Sequence, residues 1–191
     1  MDRRSFLTAA GTTLATAMAG CASSSKNSST VMPDGPVHST AVSENDIEVS
    51  VGQWGRKSEV RYYDSDAGET QMLVAENGAF YALNPSITNI GDEVQSVPSL
   101  TDFKLWVSGE TYPLLTELPA GVSWDKLRKQ DDQFLFGEPT AVQDKIYGGS
   151  EIFVDLAYDA SVETPYLKWT PNGTVEGEDA VYLECGEQLT G

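Results

Sequence analysis

Hydrophobic and polar residues alternate with a period of two along most of this chain, which is the mark of strands with one buried face. Ile47, Val49 and Val51 alternate with Glu48 and Ser50, Val60 and Tyr62 flank Arg61, and Met72 and Val74 share a face. Tyr81, Leu83 and Ile87 share another, interrupted by Pro85, which marks a bulge or an edge because proline donates no ladder hydrogen bond. Phe103, Leu105 and Val107 form a further run, Ile152, Val154, Leu156 and Tyr158 the longest, and Val181, Leu183 and Cys185 the last. Turn-forming residues punctuate these runs at 64–68, Asn77-Gly78, 89–92, Gly148-Gly149 and Pro171-Asn172-Gly173, and Asn77-Gly78 suits a tight hairpin. Only 122–130 reads as helical, with Ser123 as cap and Asp125 opposing the N-terminal dipole. Seven to nine short strands in one domain predict an all-β, immunoglobulin-like antiparallel β-sandwich with one short inserted helix.

The first twenty residues follow a different rule. Arg3-Arg4 precedes an uncharged run of small and apolar residues from Ser5 to Gly20, the layout of an export signal. That run is shorter than the roughly 20 apolar residues that span a bilayer core. Paired arginines before a mildly apolar stretch resemble the twin-arginine signal, which exports folded proteins. Met18-Ala19-Gly20-Cys21 resembles a lipobox, which implies cleavage before Cys21 and a lipid thioether on its sulfur. In the alternative reading the signal is simply secretory and Cys21 incidental. Residues 21–44 are rich in Ser, Gly and Pro and contain no aromatic residue, so they read as a disordered, lipid-anchored linker, with His38 a solvated residue within it. Every aromatic residue except Phe6 falls between Trp54 and Tyr182, which places the folded domain at 45–191.

Charge narrows the function. The 191 residues carry 29 Asp+Glu against 12 Lys+Arg, a formal net charge of −17, and from Glu44 onward the count is 27 against 9. No basic patch is visible, which excludes a nucleic-acid partner. The acid is dispersed, with pairs such as Asp92-Glu93 and Asp131-Asp132 as its longest runs, so it describes a whole solvated surface. Such a surface repels itself in dilute buffer, whereas the screening length falls to about 3 Å at molar salt. The composition resembles that of proteins exported by extreme halophiles and predicts a domain that is stable only in high salt.

The segment 87–93, ending Asn89-Ile90-Gly91-Asp92, followed by Phe103-Lys104-Leu105 and then Gly109 and Tyr112, resembles the telokin-like, immunoglobulin-like domains of haloarchaeal-type lipoproteins. Gly148-Gly149-Ser150-Glu151 before a long strand continues the likeness, which spans about residues 78–183 and is broken by an insert at 115–147. The resemblance implies a fold and a surface location and carries no activity.

Candidate chemistry is sparse. Asp64, Asp66 and Glu69 surround Gly68 and offer carboxylates to Ca²⁺, but the further ligands of an EF-hand loop are missing, and the same residues serve a hairpin turn. With His38 as the single histidine, no multi-histidine metal site and no histidine-based nucleophile can be built in the domain. Gly148-Gly149-Ser150-Glu151-Ile152 lacks the second glycine of a nucleophile elbow. No cofactor is implied. Cys185 sits on the face of Val181 and Leu183, a buried small hydrophobe flanked by Glu184 and Glu187. Trp169 reads as core, whereas Trp106 and Trp124 are candidates for an exposed contact surface. Asn27 and Asn172 open glycosylation sequons.

The expectation is a surface protein held to the outer face of the cytoplasmic membrane by a lipid on Cys21. Its domain would act as a binding or structural module for a surface protein or glycan. Two alternatives are a small carboxylate- or metal-dependent extracellular hydrolase and an accessory subunit of a surface transport or respiratory complex.

Overall fold

The computed structural model describes residues 31–127 and 136–189. Strands dominate it. In chain order they are β1 (Val37–His38), β2 (Thr40–Val42), β3 (Ile47–Lys57), β4 (Glu59–Asp64), β5 (Glu69–Val74), β6 (Ala79–Asn89) and β7 (Gln95–Ser96). The second half supplies β8 (Phe103–Val107), β9 (Glu110–Tyr112), β10 (Thr140–Ala141), β11 (Lys145–Ile146), β12 (Glu151–Ala160), β13 (Pro165–Trp169) and β14 (Val181–Leu189). One large sheet runs β10-β12-β6-β3-β14-β13-β8-β9, with β1 beside β14 and β2 beside β3, while β4–β5 and β7–β11 form separate pairs.

The sheet is mixed rather than antiparallel throughout, because both β1 and β3 run parallel to β14. It is also curled, so that the inward residues of its two ends meet in one core. Ile47, Val49 and Val51 of β3, Tyr81, Leu83 and Ile87 of β6, and Ile152, Val154 and Leu156 of β12 come from one end. Phe103, Leu105 and Val107 of β8, Leu167 and Trp169 of β13, and Val181 and Leu183 of β14 come from the other. The period-two pattern places these residues inward, and their burial drives the curl.

Pro85 marks a bulge, not an edge. It lies in β6, which is flanked by β3 and β12, and it pairs with Val51 where the β3 register slips between Val51 and Trp54. The slip leaves Gly52 beside β14, and a Cβ on Gly186 would collide with the Gly52 carbonyl oxygen. Glycine is therefore what lets β14 approach the bulge.

Several expectations require correction. The domain does not begin at residue 45: β1 and β2 belong to the sheet, Ala41 is in the core, Ser43 is buried, and His38 pairs with Leu183. The small, polar residues of 32–43 gave no strand signal because β1 is too short to alternate. The described part of the expected helix is one 3-10 turn, Trp124–Lys126, in which Ser123 makes no side-chain cap and Leu127 is already extended. Residues 128–130 lie outside the described residues. Met72 and Val74 do share a face, but the outward one, because Leu73 is the buried residue of β5. Asn77-Gly78 closes no hairpin, since β5 pairs with β4 and not with β6. The Asp159 carboxylate instead accepts the backbone N–H groups of Glu76 (2.7 Å) and Asn77 (2.9 Å), fixing the turn from across the sheet.

A second, smaller cluster lies on the other face of β6. Phe80 and Ala82 pack there with Val60, Leu73 and Leu118, and Trp124, Leu127 and Phe136 close over them. The described residues of the insert thus help to cover a satellite core.

Candidate functional site

Where the strands stop decides which loop residues come together. At one end of the curled sheet three connections converge: the turn from β2 to β3, the stretch from β7 to β8, and the exit from β13. They enclose a cleft of about 640 Å³, within the usual range for small-molecule sites.

Each wall is fixed by the sequence around it. In the first turn Asp46 takes a left-handed backbone (φ 59°), and Ser43 is buried, its Oγ accepting the Ile47 N–H at 3.4 Å. Asn45 donates from Nδ2 to the Asn172 carbonyl at 3.1 Å, the Thr174 hydroxyl donates to Glu44 Oε1 at 2.6 Å, and the Glu44 N–H donates to the Thr174 carbonyl. These bonds clamp the first and third walls together. On the second wall Ser99 caps a 3-10 turn, Leu100–Asp102, by accepting the Thr101 N–H, and the Thr170 N–H donates to the Asp102 carbonyl at 2.9 Å. Chain segments more than a hundred residues apart are thereby held in one frame.

Trp169 contributes to the lining from below. Its ring stacks on Phe103 (centroids 6.1 Å apart, planes at 16°), and its indole N–H is buried without an acceptor among the described residues. A buried donor left unpaired costs free energy, on the order of 1–3 kcal/mol. Among the described residues Asp102 is the one carboxylate of the lining, and no Lys or Arg joins it. Burial raises its pKa above the ordinary 3.8, against a backbone hydrogen bond from Ser99. The other polar residues of the lining carry hydroxyl or amide side chains. Such a lining offers hydrogen-bond donors and acceptors of both kinds.

The other residues singled out from sequence lie elsewhere. Asp64, Asp66 and Glu69 form the β4–β5 turn, in which Asp64 Oδ1 accepts the N–H groups of Asp66 (2.9 Å) and Ala67 (3.2 Å) and Gly68 takes a positive φ. Among the described residues no group of three His, Cys, Asp or Glu is placed to hold a metal ion. Asn172 stands exposed at the rim of the cleft. Arg3, Arg4, Cys21 and Asn27 lie outside the described residues.

Trp106 is buried, not exposed. It faces away from the main core, as alternation requires, but Tyr166 and Tyr182 meet it edge-on and the 32–38 segment crosses the same surface, with Met32 Sδ accepting the Tyr166 hydroxyl and Pro36 accepting the Tyr182 N–H. Trp124 is half-buried against Phe136 and donates to the Thr116 carbonyl. Trp54 stacks on Tyr81 and donates to the Gly186 carbonyl. Cys185 packs against the core beside Tyr158, and burial pushes its thiol up to about 12, so it is not a nucleophile at neutral pH.

Sequence reasoning missed the cleft. Asn45, Gln95, Asp102 and Asn172 carry no shared motif, and only the sheet topology brings them together. The one local signal was Trp169 beside Pro171-Asn172-Gly173, a large aromatic residue at the mouth of a turn. No protein-family model matches this sequence, and comparisons with curated proteins and with solved structures return no match.

Proposed function

We propose that this chain is an exported, lipid-anchored surface protein whose body is an immunoglobulin-like sandwich acting as a binding module, with the end cleft as its recognition site. It has no catalytic role in this reading. The anchor rests on Cys21 and its flanks, and the export route on Arg3-Arg4. Two acyl chains on Cys21 would hold the protein at the outer face of the cytoplasmic membrane, since each buried CH₂ contributes about 0.8 kcal/mol.

Strand order supports the sandwich. Taking β3, β6, β8, β10, β12, β13 and β14 as the seven strands, one half reads β10-β12-β6-β3 and the other β8-β13-β14. This is the partition of a constant-type immunoglobulin domain, with the first strand meeting the last in parallel at the seam. In such a domain the loops at one end carry recognition, and the cleft lies between the second-to-third-strand loop and the sixth-to-seventh.

The observation that carries the reading is the convergence of three clamped connections on a polar cleft floored by an unpaired indole. A carboxylate-dependent hydrolase would need two facing carboxyl groups, roughly 5–9.5 Å apart, and among the described residues Asp102 is the one carboxylate in the lining. Cell fractionation tests the anchor. Cys21→Ser is expected to release the protein from membranes into the medium, and unchanged membrane retention would overturn the anchored reading.

A further inference from the structure

Strand edges are where a sheet invites a partner, and this domain treats its edges unequally. The large sheet ends in β10, of two residues, and β9, of three, the second opening on Glu110. Short or charged edges of this kind blunt pairing with other chains. β5 has neither device. Its six residues, Glu69–Val74, contain no proline or lysine, pair with β4 without a register slip, and carry one charge, on Glu69 at the turn. The outer side of β4 is met by Leu127 through Tyr62, but among the described residues nothing pairs with the outer side of β5.

The register fixes which groups that side presents. The Ala75 N–H donates to the Ser58 carbonyl at 2.9 Å, one step beyond the Glu59–Val74 pair. Antiparallel hydrogen bonds alternate along a strand, so Gln71 and Leu73 turn their main-chain groups toward β4, and Thr70, Met72 and Val74 turn theirs outward. The same three residues carry the exposed side chains of the strand, Met72 at 45% and Val74 at 59% exposure, while Leu73 is buried. Outward backbone and outward apolar side chains thus coincide on alternate residues.

A second copy of this strand satisfies both at once. With the copies antiparallel and Met72 facing Met72, Thr70 of each copy faces Val74 of the other. The outward main-chain groups then oppose one another, and the exposed side chains share a face. A shift by one residue brings outward groups against inward ones and puts Leu73 on the wrong face. The charges agree as well. Glu69 falls opposite Ala75, so no two carboxylates of the strand face each other, although 27 residues from Glu44 onward are acidic. Repulsion between two such acidic bodies is long-ranged, and at molar salt a screening length of about 3 Å removes most of it. A contact one strand long belongs to the class under about 1,200 Å², in which association is weak and reversible.

We propose that β5 is a dimerisation edge, through which two copies of this chain pair antiparallel about Met72 and join their β4–β5 hairpins into one four-stranded sheet. The proposal is independent of the cleft and of the anchor.

The test uses the full chain carrying Cys21→Ser, labelled with ¹⁵N and kept in molar NaCl with a thiol reductant. Sedimentation equilibrium is expected to show a monomer–dimer equilibrium as the concentration rises from micromolar to submillimolar. Over the same range the amides of Thr70, Met72 and Val74 should pass from free hydrogen exchange to protection, whereas the β4 ladder protects those of Gln71 and Leu73 throughout. Met72→Pro deletes an outward N–H and leaves that ladder whole, since proline is tolerated where its nitrogen faces solvent. Symmetry deletes the bond twice, so the dimer should weaken about tenfold or more. Met72→Lys should weaken it without altering the backbone, by setting two ammonium groups opposite each other. Dispersion of the amide spectrum reports whether each variant is folded, and Met72→Lys serves where Met72→Pro is not. A chain that stays monomeric with these amides exchanging freely, a dimer that forms without protecting them, or a dimer that the folded variants leave intact overturns the proposal.

Discussion

The two hydrophobic clusters of this domain share one strand and obey different rules. The main core lies between the two ends of the curled sheet, where Phe103, Leu105, Leu167, Trp169 and Leu183 are almost wholly enclosed. The satellite lies behind β6, where only Val60, Leu73, Phe80, Ala82 and Leu118 are buried and the cover, including Tyr62, Trp124 and Phe136, stays half-exposed. Residues 79–83 of β6 are buried on both faces as a result. Alternation therefore reports the main core faithfully and is silent about the satellite, because a strand wetted on neither face has no polar residue with which to alternate.

The contrast is sharpest in what truncation should cost. Leu105 is fully buried and opposes Leu167 and Tyr112 on neighbouring strands. Leu105→Ala should destabilise by about 3–5 kcal/mol, the range for a leucine deleted from a rigid core. Trp124 is half-buried, and the hydrogen bond from its indole N–H to the Thr116 carbonyl is long at 3.3 Å. Trp124→Ala should cost about 1–2 kcal/mol, the loss of partial burial and a neutral hydrogen bond. Urea denaturation in a Cys21→Ser background gives the readout. The midpoint should fall about twice as far or more in Leu105→Ala as in Trp124→Ala. Equal losses in the two variants would mean that the satellite is as integral as the main core, and the distinction would fail.

That distinction also explains how far the chain could be read. The long strands, the inward faces of β3, β8 and β12, and the burial of Trp169 follow from local alternation. The Asn89-Ile90-Gly91 segment was legible as punctuation, and its role is architectural. Asn89 is buried, donates to the Glu93 and Ile146 carbonyls, and accepts the Gly91 N–H, so it ties the end of β6 to β11. What stayed hidden depends on distant partners. β1 and β2 are strands only because β14 and β3 offer them edges, and the described part of the expected helix is a single turn whose Trp124 and Leu127 pack onto the satellite. The cleft is the extreme case, since its lining is drawn from three separate connections.

Asp102 stands where the main core meets that cleft, directly before Phe103, and it offers the subtlest test of how the two ends of the core differ. A carboxylate tuned for stability would have a lowered pKa; this one is raised by burial, with only a Ser99 backbone hydrogen bond in opposition. The folded state then holds the proton more tightly than the unfolded chain, so the ionised form lowers stability above the folded pKa. That cost disappears as pH falls through the folded pKa toward the unfolded value near 3.8. Asp102→Asn should accordingly raise the urea midpoint slightly at neutral pH, by less than Trp124→Ala lowers it. The advantage should shrink steadily as the buffer is taken down into the carboxylate range, while the general relief of acidic self-repulsion affects both proteins alike. A midpoint lowered by Asp102→Asn at neutral pH would mark the carboxylate as a structural tie. A raised midpoint would mean that the core gives up some stability where Asp102 brings a carboxylate to the cleft.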